Sequence, residues 1–216
     1  MSIHTYIRRY ALFLTGVILS ATGIAFITRA GLGTSPVSGL PFVLSLVTGI
    51  SMGTFTFLFN MTFLVLEALL RKKFTIQQTF QIPITFFFSF CIDVAMRFIP
   101  TRFGGPWGPS FVYLVIGCII MALGISFEVI ADVIMLPAEA LVREISRQSG
   151  IRFGNVKVAF DSTLTILAMV VALIAFHKLN GVREGTLINA LCVGQLVRLW
   201  RAFIEVPLKK ICTAEP

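Results

Sequence analysis

The chain has 216 residues, of which 56% are hydrophobic and 13% charged, with a net charge of +8. So apolar a composition excludes a water-soluble globular domain and makes the chain an integral membrane protein. Its basic residues stand between apolar runs and form no single block with interleaved aromatics, so the charge reflects membrane topology and no nucleic-acid partner is expected.

Six runs are long enough to span a hydrocarbon core: about Tyr10 to Ala30, Thr54 to Leu70, Phe80 to Phe98, Ser110 to Ala131, Asn155 to Phe176 and Gly185 to Ile204. Arg8 and Arg9 ahead of the first run resemble the start of a signal peptide. The run from Tyr10 to Thr28 is longer than a usual signal core, however, and its counterpart from Phe111 to Ala131 lies mid-chain, so a retained span is expected.

After the first run the stretch AGLGTSPVSGLPFVLSLVTGISMG, Ala30 to Gly53, replaces a continuous span with turn chemistry. Gly31 and Gly33 free the backbone, Thr34 or Ser35 can cap a helix, and Pro36 suits its first position. A helix from Pro36 to about Gly49 covers roughly 20 Å, short of the roughly 30 Å it would need to cross.

The chain repeats this region 101 residues later without a gap. Within the 51-residue window from Gly16 to Leu66, 16 residues recur, among them Gly16, Gly23, Pro36, Gly49, Gly53 and Phe59 as Gly117, Gly124, Pro137, Gly150, Gly154 and Phe160. Repeat 1 covers about residues 10–98 and repeat 2 about 110–204, in one membrane domain. Three spans per repeat place the second repeat in the membrane the other way up. The expected fold is therefore all-α, with six transmembrane helices in two inverted three-helix repeats, each carrying a short non-spanning helix. With both termini in the cytoplasm, 13 of the 18 basic residues fall on or near the inner side and 5 outside, as the positive-inside rule requires. The linker PTRFGGPWGPS, with an interfacial Trp107, reads as an outer turn. Pro36 to Thr48 then lies at the outer side and Pro137 to Ser149 at the inner side. In the latter, Ala138, Leu141, Val142 and Ile145 share one face, with Glu139, Arg143, Glu144 and Arg147 elsewhere, as in a helix lying on a charged leaflet.

The strings AGLGTSP, GISMGTFTFLFN, FCIDVAMR, ADVIMLPAEALV and GVREGTLINALCVG resemble the YczE/YyaS/YitT group of bacterial integral membrane proteins over nearly the whole chain. Many members carry Trp and Asp just after the first Pro, where Val37 and Ser38 stand here, so that acid's role does not transfer. The resemblance implies a bacterial inner-membrane location and brings no substrate.

A charge at the centre of a span costs on the order of 2.5–3.5 kcal/mol, so each calls for an account. Glu128 and Asp132 lie one turn apart near the inner end of the fourth span, Lys157 and Asp161 one turn apart near the inner start of the fifth, and Glu139 could join them. Asn60 is the repeat mate of Asp161. One reading is an ion-pair set that holds the two spans together; the other is an ion or substrate site near the pseudo-two-fold axis. Thr34 and Ser35 serve as caps or receive an anionic group at a helix start. Arg183 and Glu184 form a helix-end pair or a gate. Asp93 is expected to pair with Arg97, and Glu67 to reach Arg71. Cys91, Cys118, Cys192 and Cys212 read as packing thiols, with no metal site. No nucleotide loop, hydrolase elbow or zinc-protease motif appears, and His4 and His177 lie at or beyond span ends, so no catalytic residue, enzyme activity or cofactor is expected. The expected function is a small secondary transporter or permease for a small solute. The alternatives are a partner-dependent substrate-binding subunit and a non-transporting scaffold or regulator; the expected partners are the lipid bilayer, a small-molecule or ion substrate and a second copy of the chain in a homo-oligomer.

Overall fold

The computed structural model describes residues 3–102, 105–178 and 181–213. Phe103 and Gly104 of the linker, and the side chains of His4, Lys209, Lys210 and Cys212, lie outside the described residues. Among those described, eight helices follow one another: α1 (Ile3–Arg29), α2 (Pro36–Thr48), α3 (Met52–Arg71), α4 (Ile76–Phe98), α5 (Trp107–Ala131), α6 (Pro137–Ser149), α7 (Phe153–Phe176) and α8 (Glu184–Thr213). All but α2 and α6 contain a stretch long and apolar enough to cross a membrane, and the described residues include no strand. The protein is a multi-pass membrane protein.

The short helices start and stop where their residues dictate. Ser35 is the N-cap of α2, its hydroxyl accepting the Ser38 N–H at 3.3 Å, and Pro36 follows in the first turn. Gly49 ends α2 in the left-handed region at φ 75°, and Gly150 ends α6 in the same way at φ 72°. Thr34 is not the cap. Its hydroxyl lies 2.7 Å from that of Thr28, and its N–H donates to Thr186 Oγ1 at 3.2 Å, which ties the turn to the start of α8. Gly33 in that turn, at φ 124°, must be glycine on two counts, because a Cβ there would also lie 2.5 Å from Thr186 Oγ1.

The centre of the bundle is the antiparallel crossing of α1 and α5. A Cβ at Gly23 would come within 2.5 Å of the Met121 backbone nitrogen, and one at Gly124 within 2.5 Å of the Ser20 nitrogen. Ser20 and Met121 are themselves 101 residues apart, as are Gly23 and Gly124, so the same contact occurs twice with the partners exchanged. Small residues that let backbones touch are how helices associate where hydrocarbon removes the hydrophobic drive. The ends of the crossing are tied by guanidinium groups: Arg9 donates to the Ala131 and Asp132 carbonyls, both at 2.8 Å, and Arg29 to the Met96 carbonyl.

Around this crossing α2 packs on α7 and α6 on α3, while α4 lies on α1 and α8 on α5. The start of α1, the ends of α3 and α5, the start of α4 and all of α6 gather at what we term the near end of the bundle. The ends of α1, α4 and α7, the starts of α5 and α8, and α2 form the far end. One pairing has no counterpart. α4 is zipped to α3 by Asp93, which accepts the Gly53 N–H at 2.7 Å and the Ser51 hydroxyl at 2.6 Å. That corrects the expected Asp93–Arg97 pair, because the free N–H at the start of α3 is the stronger claim on the carboxylate. The mates of Gly53 and Asp93 are Gly154 and Gly194, where an added Cβ would meet nothing within 4 Å, and α7 and α8 are not packed in this way.

Two glycine substitutions should therefore behave oppositely. Gly124→Ala forces backbone apart at the crossing and should cost about 1–3 kcal/mol, whereas Gly194→Ala, inside α8 with open space, should stabilise by about 0.5–1 kcal/mol. Thermal unfolding of the two variants in detergent checks both signs.

Candidate functional site

A cavity of about 380 Å³ opens at the near end between α3, α4, α5 and α6. Helix ends supply its polar lining: Glu67 and Arg71 from the last turns of α3, Gln77 and Gln81 from the first turns of α4, Glu128 from the last turn of α5, and Glu139 from the first turn of α6. Glu139 suits its place, since a carboxylate in a first helical turn faces the positive end of the helix dipole.

Glu67 is 2% exposed and Glu144 1% exposed, and both are held by Arg71. The Arg71 guanidinium lies 2.9 Å from Glu67 and 3.3 Å from Glu144, and Glu144 in turn takes Arg147 at 2.6 Å. Gln148 closes the chain by donating to Glu144 at 2.9 Å and to the Leu70 carbonyl at 2.6 Å. α6 is thus not a helix with all its charges turned to water. Its Glu144 is buried against the end of α3, because Arg71 projects there and an unpaired guanidinium beside a span would be costly. The hydrogen bonds from Arg147 hold the Glu144 carboxyl below its ordinary value, against a smaller opposing effect of burial.

The expected network of Glu128, Asp132, Lys157 and Asp161 does not form as one unit. Glu128 faces the cavity and accepts the Ser20 hydroxyl at 2.6 Å, which places it on the α1–α5 crossing. Asp132 ends α5 in the left-handed region at φ 46°, and its side chain is 91% exposed, 3.9 Å from Arg9. Lys157 and Asp161 pair with each other at 2.7 Å along α7 and do not line the cavity. Glu139 connects the two sets: burial raises its carboxyl above the ordinary value, with Lys157 opposing and Asp161 reinforcing. Asn60 is buried in α3 and donates to the Thr56 carbonyl at 2.9 Å, away from the cavity lining. Thr34, Ser35, Arg183 and Glu184 belong to the far end. There Arg183 pairs with Glu184 at 2.9 Å and also donates to the Gly31 carbonyl at 3.2 Å, tying the α1–α2 turn to α8.

Sequence reasoning missed Arg71, Gln81 and Glu144 as site residues and took Glu67 only as a neighbour of Arg71. The signal that could have found them is the exchange between repeat mates. Glu67, Arg71, Gln81 and Glu144 correspond at the 101-residue offset to Ala168, Ala172, Val182 and Val43. Those four residues pack together with Leu40 in an apolar cluster at the far end. One position in the fold is thus a charged cavity wall at one end and a dry plug at the other.

The match to a protein family falls on this architecture. A family of unknown function, DUF6198, matches residues 7–202. The chain belongs to DUF6198. No curated protein and no solved structure matches it. The stretch matched in this DUF6198 protein contains both short helices and every residue that lines the cavity. Among its described residues no group of three or more His, Cys, Asp or Glu side chains converges as a metal-binding set.

The two acids of α6 should give stability opposite pH dependences. The lowered Glu144 binds its proton less readily in the folded than in the unfolded state, so its contribution is present above about pH 4.5 and is lost as pH falls through its folded value. The raised Glu139 works the other way: its charge penalises the fold at high pH and is relieved as pH falls toward 4.5. Glu144→Gln should lose about 2 kcal/mol at neutral pH, where its charged hydrogen bonds are made, and should flatten the acid limb of the profile. Glu139→Gln should raise the melting temperature most at high pH. Melting curves between pH 3.5 and 9 distinguish the two.

Proposed function

We propose that this protein is a small secondary transporter or permease whose solute site is the near-end cavity. The observation that carries the reading is the exchange between repeat mates: Glu67, Arg71 and Gln81 border an open polar cavity with Glu144 paired to Arg71 behind them, while Ala168, Ala172, Val182 and Val43 seal the equivalent place at the other end. A transporter open to one side has this form, with one access route wet and its counterpart packed shut. In this reading the two halves are inverted repeats related by an axis through the α1–α5 crossing, which the partner-exchanged contacts of Gly23 and Gly124 support. The excess of basic residues at the near end supports an orientation with that end, both termini and the cavity mouth in the cytoplasm. The resemblance to the YczE/YyaS/YitT group supports a bacterial inner membrane.

The lining favours a solute with positive charge. Glu67, Glu128, Asp132 and Glu139 face or border the cavity against Arg71 and Arg143, and Arg71 is already committed to Glu67 and Glu144. Glu128 is the acid best placed to meet such a solute, since its single described bond is to a neutral hydroxyl on the central crossing.

A thermal-shift screen of the purified protein with alkali cations and small amines tests this. A bound cation at one hundred times its dissociation constant raises stability by about 2.7 kcal/mol. Glu128→Gln should fold and lose the response, while Asp161→Asn, outside the lining, should keep it. A folded Glu128→Gln protein with an undiminished response would remove the cavity from solute binding.

A further inference from the structure

The buried face of α4 continues from the cavity toward the far end as a row of polar side chains. Gln78, Gln81, Thr85 and Ser89 are spaced by three or four residues and are therefore stacked on one face, and each is 4% exposed or less. Three of them have a polar atom with no hydrogen-bond partner: Gln81 Oε1, Thr85 Oγ1 and Ser89 Oγ. The row begins at the Glu67 carboxylate, with which the Gln78 and Gln81 side chains hydrogen-bond, and one turn beyond Ser89 it reaches Asp93 at the far end. From Gln78 to Asp93 it extends roughly 22 Å along the helix axis.

Two comparisons within the protein set this row apart. Elsewhere in the spans, hydroxyls are satisfied by the carbonyl one turn back, as in Thr15, Thr22, Thr28, Thr56, Ser126 and Thr165. Thr85 and Ser89 forgo that bond although it is within reach of any helical hydroxyl. The described repeat mates of the row, those of Gln81, Thr85 and Ser89, also lack the pattern. Val182 is apolar, Ala190 is exposed on α8, and Thr186 is partnered by the Thr34 N–H. Buried polar groups without partners are costly and are kept where another state uses them. α4 also has the means to change shape, because Pro83, between Gln81 and Thr85, removes a ladder N–H and crowds the preceding turn.

We propose that this face of α4 is one wall of a polar passage, closed in this structure, which joins the near-end cavity to the far end at Asp93 and carries a small hydrated cation past Thr85 and Ser89. The proposal rests on the transporter reading of the cavity and adds its route: along α4 in the first half of the chain, with no equivalent along α8. In the closed form the hydroxyls lack partners. In the open form water and the solute supply them, and bending at Pro83 separates this face from α1 and α3.

Single cysteines in the full-length chain, with Cys91, Cys118, Cys192 and Cys212 replaced by serine, test the route in membrane vesicles. The probe is a membrane-impermeant, positively charged methanethiosulfonate added to either side. Thr85→Cys and Ser89→Cys should react at least ten times faster than Ser126→Cys, which is buried in α5 with its own hydroxyl satisfied. Val133→Cys reports on the cavity alone. If Val133→Cys reacts while both α4 cysteines are no faster than Ser126→Cys, the passage is overturned and the cavity stands. If Val133→Cys is equally inert, the cavity reading falls with it. Should the cysteine variants fail to assemble, the shape-preserving double variant Thr85→Val, Ser89→Ala gives a second measurement. A passage that opens to water predicts slower hydrogen exchange of the α4 amides from Gln81 to Asp93 once the hydroxyls are gone, and unchanged exchange overturns it.

Discussion

The close approach of α1 and α5 is the constraint on which everything else in this protein depends. Backbone meets backbone at Gly23 and Gly124, so neither helix can rotate or slide without closing a distance that is already at its limit. Hydrocarbon offers no drive to hold apolar helices together, and contact area with matched shape must do it. Fixing this pair fixes the rest. Arg9 and Arg29 anchor the two ends of α1 to the end of α5 and the end of α4, and Glu128 is brought to Ser20 at the head of the cavity. The same crossing therefore supplies both the rigid axis of the bundle and one of the acids that line the cavity.

Duplicated architecture lets each position be judged against its mate, and charge then becomes informative. A lone Glu67 in a span would cost several kcal/mol, and Arg71 one turn on, with Glu144 and Arg147 from α6, spreads that cost over a connected set. The mates show that the fold does not require this set: Ala168, Ala172, Val182 and Val43 fill the equivalent space with small apolar side chains and no ions. Replacing a buried ion network by packed apolar groups is often neutral or stabilising. Keeping the network at one end only is therefore a departure from the cheaper solution that the same chain uses elsewhere, and such departures are expected where a protein works.

Sequence reading was strongest where geometry is local. The thirteen-residue extent of α2 follows from Ser35, Pro36 and Gly49, and that of α6 from Pro137 and Gly150; the six long apolar runs became six span-forming helices for the same reason, that length and composition decide them. It was weakest where two distant segments must meet. Glu128, Asp132, Lys157 and Asp161 look like one cluster when plotted on helix ends, yet the backbone turns into the left-handed region at Asp132 and sends its carboxylate to the surface. Glu144 looked like a surface charge because helical periodicity says only which face a residue shares and nothing about an arginine arriving from α3. Glu139, in the first turn of α6, lies among the residues that line the cavity.

The same logic explains why the two halves differ at their edges. In the first half Asp93 holds α4 against α3 by accepting the Gly53 N–H and the Ser51 hydroxyl at the start of that helix, and the polar row of α4 is thereby kept inside the protein. In the second half glycine stands at both mate positions, Gly154 and Gly194, no side chain bridges them, and α7 and α8 turn most of their length outward, with only 17% and 11% of their apolar windows buried, against 56% for α1. A polar face on α8 would then meet hydrocarbon, where its hydroxyls and amides could not be satisfied. The exposed Ala190 on α8 is what that outward position demands, just as its mate Ser89 is tolerated because Asp93 keeps α4 docked on α3. One carboxylate on one helix thus separates the two mates: α4, held on α3 by Asp93, carries a continuous buried row of polar side chains, and α8 does not.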